Sequence, residues 1–495
     1  MATLILLAGM VFRFRQYLFN RSLWLDEAML ANNIVTHSLR YLLTQKLEFE
    51  QVAPIGFLAE LKLSGKLLGY QDYFMRLVPL IFGLAILPVA GRLKNRFRHP
   101  LSQYLFLGLI AFSPVLIYYS SEVKPYILDV FFSILLLWAG LNYRHWKNGY
   151  LWLFFCGFAA ILDSNPSVYI LAAILIPPFL GALRKREWQT MARLAGIGFT
   201  WLLLFALIYL LFTRNILQNG FLVAYWQVAF APGPFTLDNV KWYLDTMLGL
   251  AYIGFSPPAP VVPGPLLEWY GTLNWVVLAG MLAGAFALYR RNRDWFMIEA
   301  LTVILLLISS WLQFYPFRSR PILFLIPILF SFLCAAVDWL LTTSTRLLIV
   351  PGTVMAILFG AMLAVPAINL FLSPANSSDI KGALAYITEH PGPGNQIAFS
   401  QWSLPAYEFY HNSYPLETLA QVDLISSNFD VNGFLNGLCM NKQFGYTWIV
   451  LSHRFSEGKA FINNLSASAL LLDKWESPGS GAYLFDFTKP AFCKP

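Results

Sequence analysis

Long apolar runs, each bounded by charged or turn-forming residues, fill the first three quarters of the chain. A membrane-spanning helix needs about 20 mostly apolar residues. Runs of this kind predict spans at residues 2–19, 75–93, 102–119, 125–142, 150–163, 167–183, 193–213, 270–289, 298–315, 321–342 and 346–372, about 11 in all. Arg13 and Arg15 interrupt the first, whose purely apolar part is 2–12, and 150–163 is short. No small-residue cleavage site follows the first run, so it does not read as a signal peptide, and a start lacking a few residues stays open. A further apolar segment, 53–69, is broken by Glu60, Lys62 and Lys66 and reads as an interfacial or re-entrant helix. Counting it as a span would invert every later loop.

After residue 372 apolar runs shorten and turn residues multiply. "SDIKGALAYITEH" predicts a helix capped by Ser378 or Asp379, with Leu384, Ala385 and Ile387 on its apolar face. "NQIAFSQ", "YTWIVLSH" and "AYLFDF" read as strands, and "EGKAFINNLSASALLL" as a second helix. The expected organisation is therefore a polytopic α-helical membrane module, 1–372, followed by a small α/β domain, 373–495. Two outer loops of the module are long: 20–74, with its interfacial helices, and 214–269. "FAPGPF" and "SPPAPVVPGP" make the second read as irregular.

Composition agrees with the pattern. Of 495 residues, 58% are hydrophobic and 12% are charged, against roughly 25% charged in soluble domains. A soluble enzyme and a disordered chain are excluded. The net charge of +8 is first a topology signal. Basic residues concentrate in alternate loops: Arg92 to Arg98, Arg144 with Lys147, Arg184 to Arg193, Arg290 to Arg293, and Arg346. The positive-inside rule makes these loops cytoplasmic. It puts the N-terminus inside and the C-terminal domain outside a plasma (inner) membrane. Membrane lipids are the expected surroundings, and no nucleic acid partner is expected. Four cysteines make no disulfide framework; Cys156 and Cys334 read as buried thiols, and Cys439 and Cys493 can pair if extracytoplasmic.

Charges that break the rule mark candidate chemistry. "NRSLWLDEAMLANNIV" sets Asp26 and Glu27 just behind the first span. Asp26 reads either as the cap of an interfacial helix from Glu27 to about Val35 or as a general base for an acceptor hydroxyl or amine. "SPVLIYYSSEVKPYILD" sets Glu122, Lys124, Tyr126 and Asp129 at an outer mouth. Glu122 and Tyr126 share a face if the helix has begun, as do Pro125 and Asp129. Asp129 lies about one turn into a span, where an acid faces a cavity, and Lys124 suits a phosphate as a point charge. "YPFRSRPILFLIP" adds Arg318 and Arg320, either anchors or a fork of donors for a phosphate or pyrophosphate. Arg13, Arg15, Arg21 and Arg76, with Lys124, also lie near outer boundaries and suggest an anionic ligand there. The six histidines are scattered, which disfavours a histidine metal site. A carboxylate-held divalent metal ion between Asp26, Glu122 and Asp129 is the remaining metal reading. There is no Gly-rich phosphate loop, HExxH or CxxC.

Taken together, "LWLDEAMLANNIV", "VAPIGFLAELKLSGKLLGYQDYFMRLVPLIFG", "SPVLIYYSSEVKPYIL" and "RSRPILFLIP" resemble the GT-C membrane glycosyltransferases. The resemblance is to family 39 in particular, the protein mannosyltransferases and aminoarabinose lipid A transferase-like proteins, and covers about residues 1–372. It implies Asp26 as catalytic base and Glu27 as its partner. Lys124, within the Glu122–Lys124–Tyr126 stretch, matches a basic residue for the donor phosphate, and Asp129 matches an acid seen in some branches. Arg320, seven residues before Pro327, matches an Arg that opens a late span. One stretch departs from the pattern: where many members carry His or Lys before a Pro-Pro pair, this chain has Gln51-Val52-Ala53-Pro54. The resemblance implies inverting transfer of a sugar from a polyprenyl-phosphate carrier to a protein, lipid or glycan acceptor outside the cell. A flippase or transporter of lipid-linked sugar and an inactive membrane scaffold subunit share the same outline.

Overall fold

The structure is a computed structural model that describes all residues except 214–219, 234–235, 257–263, 415, 417–418, 423–424, 454, 490–492 and 494–495. Its main helices, in chain order, are α1 (Ala2–Leu18), α2 (Leu25–Thr36), α3 (Leu39–Thr44), α4 (Ile55–Leu68), α5 (Leu77–Leu93), α6 (Pro100–Phe112), α7 (Pro114–Tyr119), α8 (Tyr126–Asn142), α9 (Gly149–Asp163) and α10 (Ser167–Lys185). They continue as α11 (Trp188–Ile208), α12 (Leu237–Ile253), α13 (Gly264–Arg291), α14 (Arg293–Trp311), α15 (Ile326–Leu341), α16 (Ile349–Leu372), α17 (Ile380–Glu389), α18 (Leu404–Tyr410), α19 (Val431–Met440) and α20 (Phe455–Leu465). The chain forms two compact units. One is Met1–Phe19 with Ser38–Pro374, and the other is Asn20–His37 with Ala375–Pro495. The expected first outer loop, 20–74, is thus divided at residue 37, and α2 joins the C-terminal unit.

The first unit is a multi-pass membrane module. Each predicted span is built largely of helix. Among the described residues eight helical segments, built on α5, α8, α10, α11, α13, α14, α15 and α16, are long and apolar enough to cross a bilayer. The shorter apolar helices are α6 and α9, and α1 has 17 residues. The run 102–119 is broken because Pro114 forces Ser113 out of the helical region (φ −56°, ψ 117°) and opens α7. Ser113 then donates its hydroxyl hydrogen to Gly254 O at 2.7 Å. The core lies along α15, where every residue from Ile326 to Asp338 is buried. Gly284 of α13 lets the two helix backbones approach, since a Cβ there would collide with the Phe332 carbonyl.

Two expectations are corrected here. Residues 214–269 are not an irregular loop throughout, because Leu237–Ile253 is a 17-residue helix. Most of "FAPGPF" is described, but its residues 234–235, and 257–263 of "SPPAPVVPGP", lie outside the described residues. Arg13 and Arg21 also have protein partners. Arg13, fully buried, donates to Gly9 O (3.1 Å), Ala111 O (2.8 Å) and Ile110 O (3.1 Å), serving the C-terminal carbonyls of α6. On the basic-loop side Arg96 does the same for α8, donating to Leu141 O at 2.9 Å and Asn142 Oδ1 at 2.6 Å.

The second unit is built on a five-stranded sheet in the order β2-β1-β3-β5-β4. The strands are β1 (Gln396–Phe399), β2 (Ala420–Gln421), β3 (Tyr446–Ser452), β4 (Leu470–Ser477) and β5 (Ser480–Asp486). β1 runs parallel to both β2 and β3, while β5 runs antiparallel to β3 and β4. The predicted second helix ends at Leu465, and the leucines from Leu470 open β4 instead. β4 alternates exposed and half-buried positions, as an edge strand does. Gly479, at φ +68°, makes its hairpin turn. The cap of α17 is Asp379, which accepts from the Gly382 N–H at 3.2 Å. Ala383, not Ala385, completes its buried face. Cys439 and Cys493 form a disulfide, and Cys156 and Cys334 are free thiols.

Candidate active site

The second unit carries Asp26. Leu25, Ala28, Ala31 and Ile34 recur every third residue on α2 and are buried. The small alanines allow close packing on α18. Asn32 Nδ2 donates to Pro405 O (2.8 Å), and Leu23 N donates to the Tyr410 hydroxyl (2.8 Å). The helix begins at Leu25 with Trp24 at its cap position. Glu27 reaches back to accept the Trp24 N–H at 3.4 Å, so the acid that caps α2 is Glu27 rather than Asp26. Asp26 sits half-buried in the first turn, where the helix dipole favours a negative charge.

Glu27 is fully buried, and Arg21 Nη2 lies 3.5 Å from its carboxylate with the Arg21 side chain 1% exposed. Removing one partner of a buried pair costs about 3–5 kcal/mol. Glu27→Ala is therefore expected to lower the unfolding free energy by about that amount, and Glu27→Gln, which keeps the cap acceptor, by less. A thermal melt of Glu27→Ala matching wild type would remove this pair from the structural account.

The first unit carries the other candidates. Pro125 ends the turn after α7 and precedes α8, which starts at Tyr126. Glu122 therefore lies before the helix and does not share an i,i+4 face with Tyr126. Instead a tight turn, Lys124 N–H to Glu122 O at 2.7 Å, holds the two charged residues. Both side chains are buried, Glu122 at 1% and Lys124 at 6% exposure. Lys124 Nζ donates to Gln51 Oε1 at 2.5 Å. The Arg320 guanidinium lies 5.8 Å from the Tyr126 ring centroid, and Tyr119 packs edge-on against Tyr126 at 5.4 Å. Asp129, one turn into α8 and buried, has Ser164 beside it.

Arg318 goes elsewhere. Ser319 has φ +65° and reverses the chain between the two arginines. Arg318 donates to Thr246 Oγ1 (2.6 Å) and Trp242 O (2.7 Å) and lies 4.3 Å from the Trp242 ring centroid, all on α12. The structure thus brings Arg320 to Tyr126 and ties Arg318 to α12. Among the described residues no group of three or more His, Cys, Asp or Glu side chains is placed to hold a metal ion.

Two further polar residues, Gln51 and Glu60, bear on the site. Gln51 belongs to the stretch that departs from the family pattern, and it holds the ammonium of Lys124. The departure was itself the signal. Glu60 sits on α4 facing α9, where burial, with Asp163 adding to it, pushes its carboxyl up to about 7. Gly56, one turn earlier, is the residue that leaves room for Asp163, since a Cβ there would strike the Asp163 carboxylate.

A bundle of apolar spans followed by a small mixed-sheet domain is a fold that this chain shares with solved membrane proteins. Two solved structures carry the likeness. ArnT from Cupriavidus metallidurans bound to undecaprenyl phosphate matches with a TM-score of 0.51 at 14% identity, over 100% of this chain and 99% of that one. The Archaeoglobus fulgidus oligosaccharyltransferase, in complex with zinc and sulfate, matches with a TM-score of 0.52 at 12% identity, over 97% of this chain and 72% of that one. At these identities the likeness is one of fold. No protein-family model matches the chain, and no curated protein matches its sequence.

Proposed function

We propose that this chain is a membrane glycosyltransferase that moves a sugar from a polyprenyl-phosphate carrier to an acceptor on the extracytoplasmic face. The observation that carries the reading is the buried ammonium of Lys124, held by Gln51 beside Glu122. A cation buried at the mouth of an apolar bundle suits a lipid phosphate. A protein of the same fold was solved with undecaprenyl phosphate.

Asp26 takes the proton of the acceptor nucleophile. The nucleophile attacks the anomeric carbon, the bond from that carbon to the phosphate oxygen breaks, and its electron pair leaves with the polyprenyl phosphate. Lys124 and Arg320, with Tyr126 beside it, offset the charge that develops on the phosphate. A single displacement inverts the anomeric centre. Glu27 acts through position, holding the first turn of α2. Glu122 and Asp129 are supporting acids, and a divalent ion, if one takes part, would draw on oxygen ligands of this kind. The protein sits in the plasma membrane with about 11 spans, its N-terminus cytoplasmic and its C-terminal domain outside. The disulfide of that domain suits an oxidising compartment. The acceptor is a protein, lipid or glycan.

Purified protein in lipid nanodiscs, given a radiolabelled polyprenyl-phosphate sugar and membrane extract, is expected to move label to an acceptor. Absence of transfer sinks the reading. Labelled lipid crossing a liposome bilayer without transfer favours the flippase.

A further inference from the structure

In the second unit three aromatic rings meet where the sheet is best built to receive a ligand. β1 is followed in sequence by β2 on one side and later by β3 on the other, so the strand order reverses between β1 and β3. At such a switch point, ligands of α/β sheets bind in the crevice outside the carboxyl ends of the parallel strands. Trp402 lies in the turn after β1, and His453 directly follows β3. The Trp402 and His453 ring centroids are 5.9 Å apart, and those of Trp24 and His453 are also 5.9 Å apart. The planes are tilted by 53° and 43°, so the rings do not form one closed stack. All three residues are half-exposed.

The lining is held in place. Trp402 Nε1 donates to Ser427 O at 3.4 Å. Buried Ser403 ties the two strand ends, donating to Val450 O (3.1 Å) and accepting from Ser452 N (2.8 Å). His453 has φ +53°, a left-handed conformation that is costly for a residue with a Cβ and is kept where the surroundings enforce it. Trp24 is the cap residue of α2, two positions before Asp26.

We propose that this crevice is a carbohydrate subsite: a pyranose ring stacks its apolar C–H face on the rings of Trp402, His453 and Trp24. The sugar belongs to the acceptor, and the inference rests on the reading of Asp26 as base for that acceptor. Half-exposed aromatic faces match a ring that is apolar on one side. An extended peptide would instead pair along a sheet edge, and the edges here are β2 and β4.

Saturation-transfer NMR on the full-length protein in nanodiscs tests this with methyl glycosides of mannose, glucose and N-acetylglucosamine, and with sorbitol as the acyclic control. Saturation is expected on the axial ring protons of at least one glycoside and not on sorbitol. Trp402→Ala and His453→Ala should weaken binding by about fivefold or more, and Trp402→Phe should restore most of it. Glycosides no better than sorbitol, or binding unchanged in Trp402→Ala with wild-type melting, overturn the subsite. The reading beneath it fails separately. Asp26→Asn should keep glycoside binding and lose transfer, so a protein that binds glycosides at Trp402 yet never transfers a sugar keeps the subsite and loses the transferase.

Discussion

Asp26→Asn is expected to lower the rate of the proposed sugar transfer by about 10²–10⁴-fold, the range that a positioned general base contributes. The substitution keeps size and shape and removes only the ability to accept the proton. The structure makes it a clean test. Asp26 is half-buried in the first turn of α2, and the cap of that helix is made by Glu27. The folding cost is then confined to losing a favourable charge at a helix N-terminus, about 0.3–1 kcal/mol. Initial rates with a labelled polyprenyl-phosphate sugar, set beside thermal melts, separate the two effects. Undiminished transfer in a folded Asp26→Asn protein would remove Asp26 from the chemistry.

Lys124→Met is expected to have the next largest effect, about 10²–10³-fold in turnover, the loss seen when one preorganised charge partner of a transition state is removed. At 6% exposure its ammonium is little screened by salt, so the loss should persist at high ionic strength. Arg320→Met should cost less and be more sensitive to salt, because Arg320 is half-exposed beside Tyr126. Equal activity of Lys124→Met and wild type at saturating donor would end the assignment of Lys124 to the leaving phosphate.

The membrane module was legible because a span is announced by the length of an apolar run, which depends only on local sequence. What stayed hidden depended on partners far along the chain. Arg13 looked like a stray charge in a span, and its acceptors are backbone carbonyls of Ile110 and Ala111, which no side-chain pattern advertises. Asp26 looked like a cap, and a neighbouring acid does that work. Arg318 and Arg320 looked like a pair, and a single left-handed residue between them sends one to α12. In the small domain the apolar run ending in Leu472 reads equally as helix or strand, and pairing of β4 with β5 decides it. Trp402 and His453 lie 51 positions apart in sequence, and only the parallel pairing of β1 with β3 brings their rings together.

The discontinuous second unit also imposes an order on synthesis. α2 is made before most of the membrane module, yet the residues that receive it, Pro405 and Tyr410 among them, emerge only after that module. At about 5–20 residues per second the delay is on the order of half a minute. Over that interval the segment bearing Asp26 lacks its packing partners, with Arg21 and Glu27 not yet enclosed. A chain that ends before β1 would carry the membrane spans but leave α2 without these packing partners. The helix that bears Asp26 therefore assembles only once residues 375–495 have been made.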